Sequence, residues 1–276
     1  MSLWIKKRIY NLLLWLYQLL YLLKFWAKTF LYRWAPGGYG YYRHLRSYRD
    51  PNYVHERDKH PIREKHYCNE GWGSQGQQLK YRDYSDYDEY VTHQVQKLDE
   101  KLKLHGGFSN QDIAEYRLKF YLRFKRLHHL LPKSALIVCA GARQGTEVEV
   151  LHDLGFKNAY GIDLNPGPSN PYVRQGDFMQ LDNESSSVDL LYTNCVDHAF
   201  NLDQFFAEHA RVIKQDGYVL YDLARLSKSS AGIFEAVEWK TEEDILLLML
   251  RYFREIIWVE TESSWKWILL RGKRDT

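Results

Sequence analysis

Apolar and polar positions follow four different rhythms along the chain, and the changes of rhythm divide it. In residues 1–34 apolar positions are nearly continuous: between Arg8 and Lys24 only Asn11 and Gln18 interrupt a run of 15 residues. As a helix that run spans ~22 Å at 1.5 Å per residue, short of the ~30 Å hydrocarbon core of a bilayer. On a helical wheel Lys7, Asn11, Gln18 and Lys28 fall together, bordered by Tyr10, Tyr17 and Tyr21. Ile9, Leu12, Leu16, Leu19, Leu23, Trp26 and Phe30 fill the opposite arc. A wide apolar face with a narrow polar stripe is the pattern of a helix lying in a membrane interface. Lys6, Lys7, Arg8, Lys24, Lys28 and Arg33 would then meet anionic headgroups. The alternatives are a tilted single-pass anchor with snorkelling lysines, or a helix packed on the rest of the protein or on a partner.

Residues 35–84 keep no period. Pro, Gly, Arg, His and Tyr alternate irregularly, which predicts an aromatic- and His-rich connector or lid. His55, His60 and His66 match no metal-ligand spacing, so no metal is expected. From Ser85 the period becomes helical, with Tyr87, Val91, Val95, Leu98 and Leu102 on one side and Asp86 three residues before Glu89, a capping-box spacing. A second helix, capped by Ser109 or Asn110, is predicted to run to Pro132, making residues 85–131 a helical extension.

In residues 132–276 strand and helix signals alternate. "ALIVCA", "NAYGID", "YVRQGDF", "SVDLLYTN" and "YVLYDL" read as strands, "TEVEVLHDLGF" and "LDQFFAEHARVIKQDG" as helices. "TEEDILLLMLRYF" is a further helix, and "EIIWVETESSWKWILLRGK" reads as two strands in a hairpin. The succession predicts an α/β fold: a Rossmann-like, doubly wound, mostly parallel seven-stranded sheet with a C-terminal antiparallel hairpin, preceded by N-terminal helices. Ligands of such sheets bind at the carboxyl ends of the strands.

Composition narrows the partners. A net charge of +3 with 26% charged residues leaves no dedicated nucleic-acid surface to expect, and 276 residues are too few for two large domains. Cys68, Cys139 and Cys195 form no CxxC or Cys/His set, which fits a reducing compartment.

The chemistry concentrates between residues 137 and 198. Gly141 and Gly145 flank the turn from the first strand of the sheet into a helix, where glycine lets a ligand approach the backbone and tolerates positive φ. Asp163 ends the next strand, where a carboxylate can accept from the vicinal hydroxyls of a ribose. Asp177, after Gly176, could accept from an exocyclic adenine amine. Ala142, Arg143 and Gln144 crowd the loop in place of GxGxxG, a poor match for a pyrophosphate, so a nucleoside cofactor without phosphates fits better.

These residues resemble the class I S-adenosylmethionine-dependent methyltransferases, especially the small-molecule branch called methyltransferase type 11. "CAGARQG" looks like that family's first motif, "GIDLN" its second and "GDF" its third. "DHAFNLDQFFAEHARVIKQDGYVLYDL" is similar to its "H…RVLKPGG" signature through His198, Arg211, Val212, Ile213, Lys214 and Gly217. The resemblance covers residues 132–271. It implies S-adenosyl-L-methionine as cofactor, with Gly141, Arg143, Gly145, Asp163, Leu164, Asp177, Phe178 and Asn194 around it. Two positions depart from the family: Cys139 stands where an acid is usual, and Arg143 replaces the middle glycine. Arg143 could pair with the methionine carboxylate, or with a nearby acid that fixes the loop.

A hydroxyl acceptor would need a base. His198, with Asp197 to orient it or acting alone, is the catalytic candidate at the end of the fourth strand. The alternative is that His198 caps the next helix or packs on the cofactor. Cys195 lacks a base at diagnostic spacing. The expected activity is methyl transfer to a small-molecule, glycan or lipid-linked acceptor at a membrane surface, with the catalytic domain on the cytoplasmic side. A nicotinamide-dependent oxidoreductase and a non-catalytic scaffold of the same fold are the competing readings.

Overall fold

The computed structural model describes residues 3–34, 72–75, 79–105, 110–167, 170–224, 234–262 and 265–274. The first helix, α1 (Leu3–Trp34), is followed by two short strands, β1 (Trp72–Gln75) and β2 (Leu79–Arg82), and by helices α2 (Tyr87–His105) and α3 (Asn110–Phe124). His55, His60, His66, Cys68 and Ser109 lie outside the described residues. α2 starts at the acidic cap read in the sequence: Asp86 accepts from the Glu89 amide at 2.8 Å, and Glu89 accepts from the Ser85 amide at 2.6 Å. α3 stops well before Pro132. The chain instead makes a 3-10 turn at Leu127–His129, which turns Leu127 and Leu131 into the core.

The parallel sheet begins with β3 (Ile137–Ala140), followed by α4 (Thr146–Asp153), β4 (Ala159–Asp163), β5 (Val173–Gln175) and β6 (Val188–Thr193). Then come α5 (Leu202–Val212), β7 (Ile213–Ala224), β8 (Val237–Trp239), α6 (Glu242–Tyr252), β9 (Phe253–Glu262) and β10 (Trp265–Lys273). Seven of these strands form one sheet in the order β5-β4-β3-β6-β7-β10-β9. The first five are parallel, and β10 is antiparallel to both β7 and β9. The expected terminal hairpin is therefore present, with β10 inserted inside β9. Strand order reverses between β3 and β6, so the crevice between their carboxyl ends is the topological switch point. Every residue of β3 is buried because helices cover both faces.

Two local features differ from the sequence reading. The helix expected over "LDQFFAEHARVIKQDG" ends at Val212, and Ile213 already pairs with Val188 as part of β7. Residues 72–82, assigned above to an irregular connector, carry the β1–β2 hairpin, which β8 extends through Leu79↔Trp239 and Tyr81↔Val237 into a three-stranded sheet. Strands of three and four residues are too short to set a period, and this sheet depends on pairing across a long stretch of chain.

α1 and α3 cover one face of the large sheet together with α4. Phe25 is fully buried, its ring stacked on Tyr121 at 4.8 Å. Arg117, buried on α3, donates to Glu149 at 2.6 Å, to Asp153 at 2.7 Å and to Thr29 at 3.0 Å. Lys28 reaches Glu149 at 2.9 Å and Asp153 at 3.2 Å, and Lys24 reaches Asp153 at 3.3 Å. Lys24 and Lys28 thus differ from the headgroup role expected of them: two buried carboxylates on α4 need cations, and these lysines with Arg117 supply them. Arg123 anchors α3 to β7 by donating to Asp222 at 2.8 Å while stacking on Trp267.

Candidate active site

β3 delivers the chain to its first sharp turn at Gly141, φ +72°, and Gly145, φ +82°, caps α4. A Cβ on Gly141 would stand 2.9 Å from Cys195 Sγ, and one on Gly145 would stand 2.7 Å from Tyr172 Cβ. Both glycines are therefore required by conformation and by space. Arg143 between them also takes positive φ, at 44°. Its amide donates to Asp163 Oδ2 at 2.9 Å, and the Asn165 amide donates to Asp163 Oδ1 at 2.9 Å. The Asp163 carboxylate is held by two backbone amides, one on each oxygen, with lone pairs left to accept from a ligand. Burial raises its pKa against the opposing pull of Arg143.

A cleft at the switch point is lined by Gly141, Arg143, Asp163, Leu164, Phe178, His198 and Cys195. Six of these were read from the sequence as site residues, and the fold brings them together. Asn194 lies instead in an adjoining cleft on the α4 side of the loop. Asp177 is not among the residues lining that cleft: its Oδ1 accepts from the Met179 amide at 2.7 Å and its Oδ2 from the hydroxyl of Tyr87. Cys195 packs its thiol at 3.2 Å from Asn194 Oδ1, and burial pushes its pKa up to about 12, which leaves it inert at neutral pH.

The sequence reading missed the roof of this cleft. Tyr87, Tyr90, Gln94 and Lys97 recur at helical spacing on α2 and face the site: Tyr90 donates to the His198 carbonyl at 3.0 Å, and Gln94 and Lys97 line the cleft. Tyr87 stood in the apolar stripe with Val91 and Val95, whereas Tyr90, Gln94 and Lys97 were not singled out. Asn165, another position not singled out, donates to the Val95 carbonyl at 3.1 Å and so ties the Asp163 turn to the roof.

His198 is held from both sides. Nδ1 lies 2.7 Å from the Phe234 carbonyl and must donate to it, so Nε2 is the unprotonated nitrogen and accepts from Lys97 Nζ at 2.8 Å. Burial, and next the charge of Lys97, pushes the pKa of His198 well below 6.5. Burial also lowers Lys97, with the Arg143 charge adding to it. Asp197 is 3.9 Å from His198 Nε2, so the Phe234 carbonyl and Lys97 orient the imidazole. Burial, then the charge of Glu235, raises Asp197 to about 7.

Comparison with known proteins places this geometry. Residues 138–221 match the family model of the methyltransferase domain called methyltransferase type 11. The match spans 84 of the 276 residues, so the central part of the sheet is similar to a methyltransferase domain. The 1,6-didemethyltoxoflavin-N1-methyltransferase of Burkholderia thailandensis, solved with 1,6-didemethyltoxoflavin and S-adenosylhomocysteine, shares its fold. The TM-score is 0.55 at 14% identity, over 74% of this chain and 100% of that one. The PH0226 protein of Pyrococcus horikoshii OT3 is also similar, with a TM-score of 0.46 and 19% identity over 58% of this chain and 92% of its own. No curated protein matches the chain.

The cofactor of the methyltransferase is S-adenosylmethionine, and the residues present fit it. Asp163 offers an oriented carboxylate for ribose hydroxyls, Leu164 and Phe178 offer apolar surface for a base, and Gly141 bares the backbone between them. The cofactor supplies an electrophilic methyl group. The chain would supply position, with the Lys97–His198 pair as a polar group lining the same cleft.

Proposed function

We propose that this methyltransferase works at a membrane surface, on a small-molecule, glycan or lipid-linked acceptor. The observation that carries the location is the orientation of α1. Ile9, Leu12, Leu13, Trp15, Leu16, Leu19, Leu20, Leu23, Trp26, Phe30 and Leu31 are all exposed. At ~100° per residue they fall within an arc of roughly 160°, opposite Phe25 and Thr29, which face the domain. A helix of a water-soluble protein ordinarily buries its apolar face. α1 docks through Phe25, Thr29 and Lys28 and turns the apolar face outwards. No described helix is long and apolar enough to cross a membrane, so α1 would lie in the interface.

Flotation with vesicles tests the location. The full chain is expected to float with phosphatidylcholine vesicles containing phosphatidylserine. Leu16→Glu combined with Leu20→Glu is expected to stay at the bottom of the gradient with unchanged affinity for S-adenosylmethionine. Equal flotation of the two proteins, or none by the unaltered chain, would sink the proposal. Acceptors that partition into the vesicles are then screened for methyl transfer.

A further inference from the structure

α2 brings a cation into the cleft without a counter-ion. Lys97 Nζ donates to His198 Nε2 at 2.8 Å and stands 5.7 Å from the centre of the Phe234 ring. An ammonium carries three donors, and this bond uses one of them. Among the described residues no carboxylate pairs with Lys97; burial, and next the charge of Arg143, lower its pKa. Arg143 lines the same cleft and adds a second positive charge, while Asp163 is the acid among the lining residues. The cleft therefore has an excess of positive charge that an anionic group would offset.

The same residues leave an acceptor without a base. His198 donates from Nδ1 to the Phe234 carbonyl, and its Nε2 is occupied by Lys97. The Cys195 thiol stays protonated, with a pKa pushed up to about 12, and Asp197 does not line the cleft. A hydroxyl or an ammonium must lose a proton before it can attack a methyl group, and an ammonium is also repelled by Lys97 and Arg143. A carboxylate is already deprotonated at neutral pH, and it is nucleophile and anion in one group.

We propose that the acceptor is a carboxylic acid, bound as its carboxylate by Lys97 and methylated on oxygen to a methyl ester. The inference rests on the methyltransferase reading and names its acceptor class. A lone pair of a carboxylate oxygen forms the O–CH3 bond while the S–CH3 bond breaks, and the electron pair of that bond stays on sulfur. The negative charge of the carboxylate and the positive charge of the sulfonium cancel, so no proton moves. The ester is neutral and loses the attraction to Lys97 that held the acid. His198 then positions Lys97: Gln94 Nε2 and His198 Nδ1 both donate to the Phe234 carbonyl, at 2.8 Å and 2.7 Å, which fixes the ring with Nε2 towards the ammonium.

Octanoate and benzoate, each with the matching alcohol and amine, test the class on the full chain. Calorimetry in the presence of S-adenosylhomocysteine is expected to show binding of the acids and none of octan-1-ol, octylamine, benzyl alcohol or benzylamine. With methyl-labelled S-adenosylmethionine, label transferred to the acids is expected to return as methanol after alkaline hydrolysis, the signature of an ester. Lys97→Met should raise KM for the acids at least tenfold, through loss of a charge-assisted hydrogen bond, and leave S-adenosylhomocysteine within twofold. Lys97→Arg should recover part of that loss. Transfer to an alcohol or amine in place of the acids, transfer to none of the compounds, an unchanged KM in Lys97→Met, or an equal loss of S-adenosylhomocysteine overturns the inference. Failure of S-adenosylhomocysteine to bind the unaltered chain overturns the methyltransferase reading itself, and the flotation result is independent of both.

Discussion

Asp163 makes its contribution through orientation. Two backbone amides fix its oxygens, so the hydrogen bonds it offers a ribose are formed without a further loss of side-chain freedom. Two hydrogen bonds to a charged group are together worth ~3 kcal/mol or more, about two decades in affinity. Asp163→Ala should therefore weaken S-adenosylmethionine about 100-fold by calorimetry, and a loss under threefold would remove Asp163 from the ribose site. His198 makes a different prediction. Because Nδ1 donates to the Phe234 carbonyl and Nε2 faces an ammonium, the ring should remain the neutral Nδ1–H tautomer at pH 6 in ¹⁵N spectra. Lys97→Met should raise its pKa; a ring already protonated at pH 6 in the unaltered chain would contradict the arrangement. Gly141, Gly145, Asp163 and His198 were legible in the sequence because strand ends and tight turns impose local rules on residue type. Lys97 and Gln94 were not, since their roles arise from which helix face the fold turns towards the cleft.

Among the elements, α4 links the cofactor loop to α1. Its first turn carries Glu147 at the adjoining cleft, and its other side carries Glu149 and Asp153 into the cluster of Arg117, Lys28 and Lys24. Removing one member of a buried ion cluster leaves an uncompensated charge, at ~3–5 kcal/mol. Arg117→Leu, which strips the fully buried cation that α3 places against both carboxylates, should cost about that much in urea unfolding. Lys28→Met should cost less, since Lys28 is partly solvated and Arg117 remains. The cluster also sets an acid limit. Burial would raise Asp153, but Arg117 and Lys28 outweigh it and hold its native pKa below 3.8. Its stabilisation is thus complete above the unfolded value, ~4, and lost as pH falls through the native one. The unaltered chain should lose stability below about pH 4 more steeply than Asp153→Asn. The sequence carried the helices and their order; it did not reveal this cluster, because lysines on an apolar helix look alike whether their partners are lipid phosphates or carboxylates from residues more than a hundred positions away.

At the scale of the whole molecule, α1 has two halves with different dependencies, and truncation separates them. The segment from Tyr21 onwards is structural: Tyr21 packs on Gly155 and Phe25 fills the space beside α3, while Thr29 and Lys28 bond to α3 and α4. The turns before Tyr21 expose apolar side chains and belong to the membrane proposal. Deleting residues 1–20 should abolish vesicle flotation and leave thermal unfolding within about 1 °C. Deleting residues 1–34 removes the buried Phe25, worth ~3–5 kcal/mol by analogy with large-to-small core substitutions, and exposes two carboxylates as well. At roughly 2–4 °C per kcal/mol for a chain of this size, melting should fall by about 10 °C or more. Equal melting of the two truncations would show that α1 is not part of the folded unit. A large fall with the first deletion alone would mean that the exposed stripe has a partner within the same molecule, and the membrane reading would lose its basis.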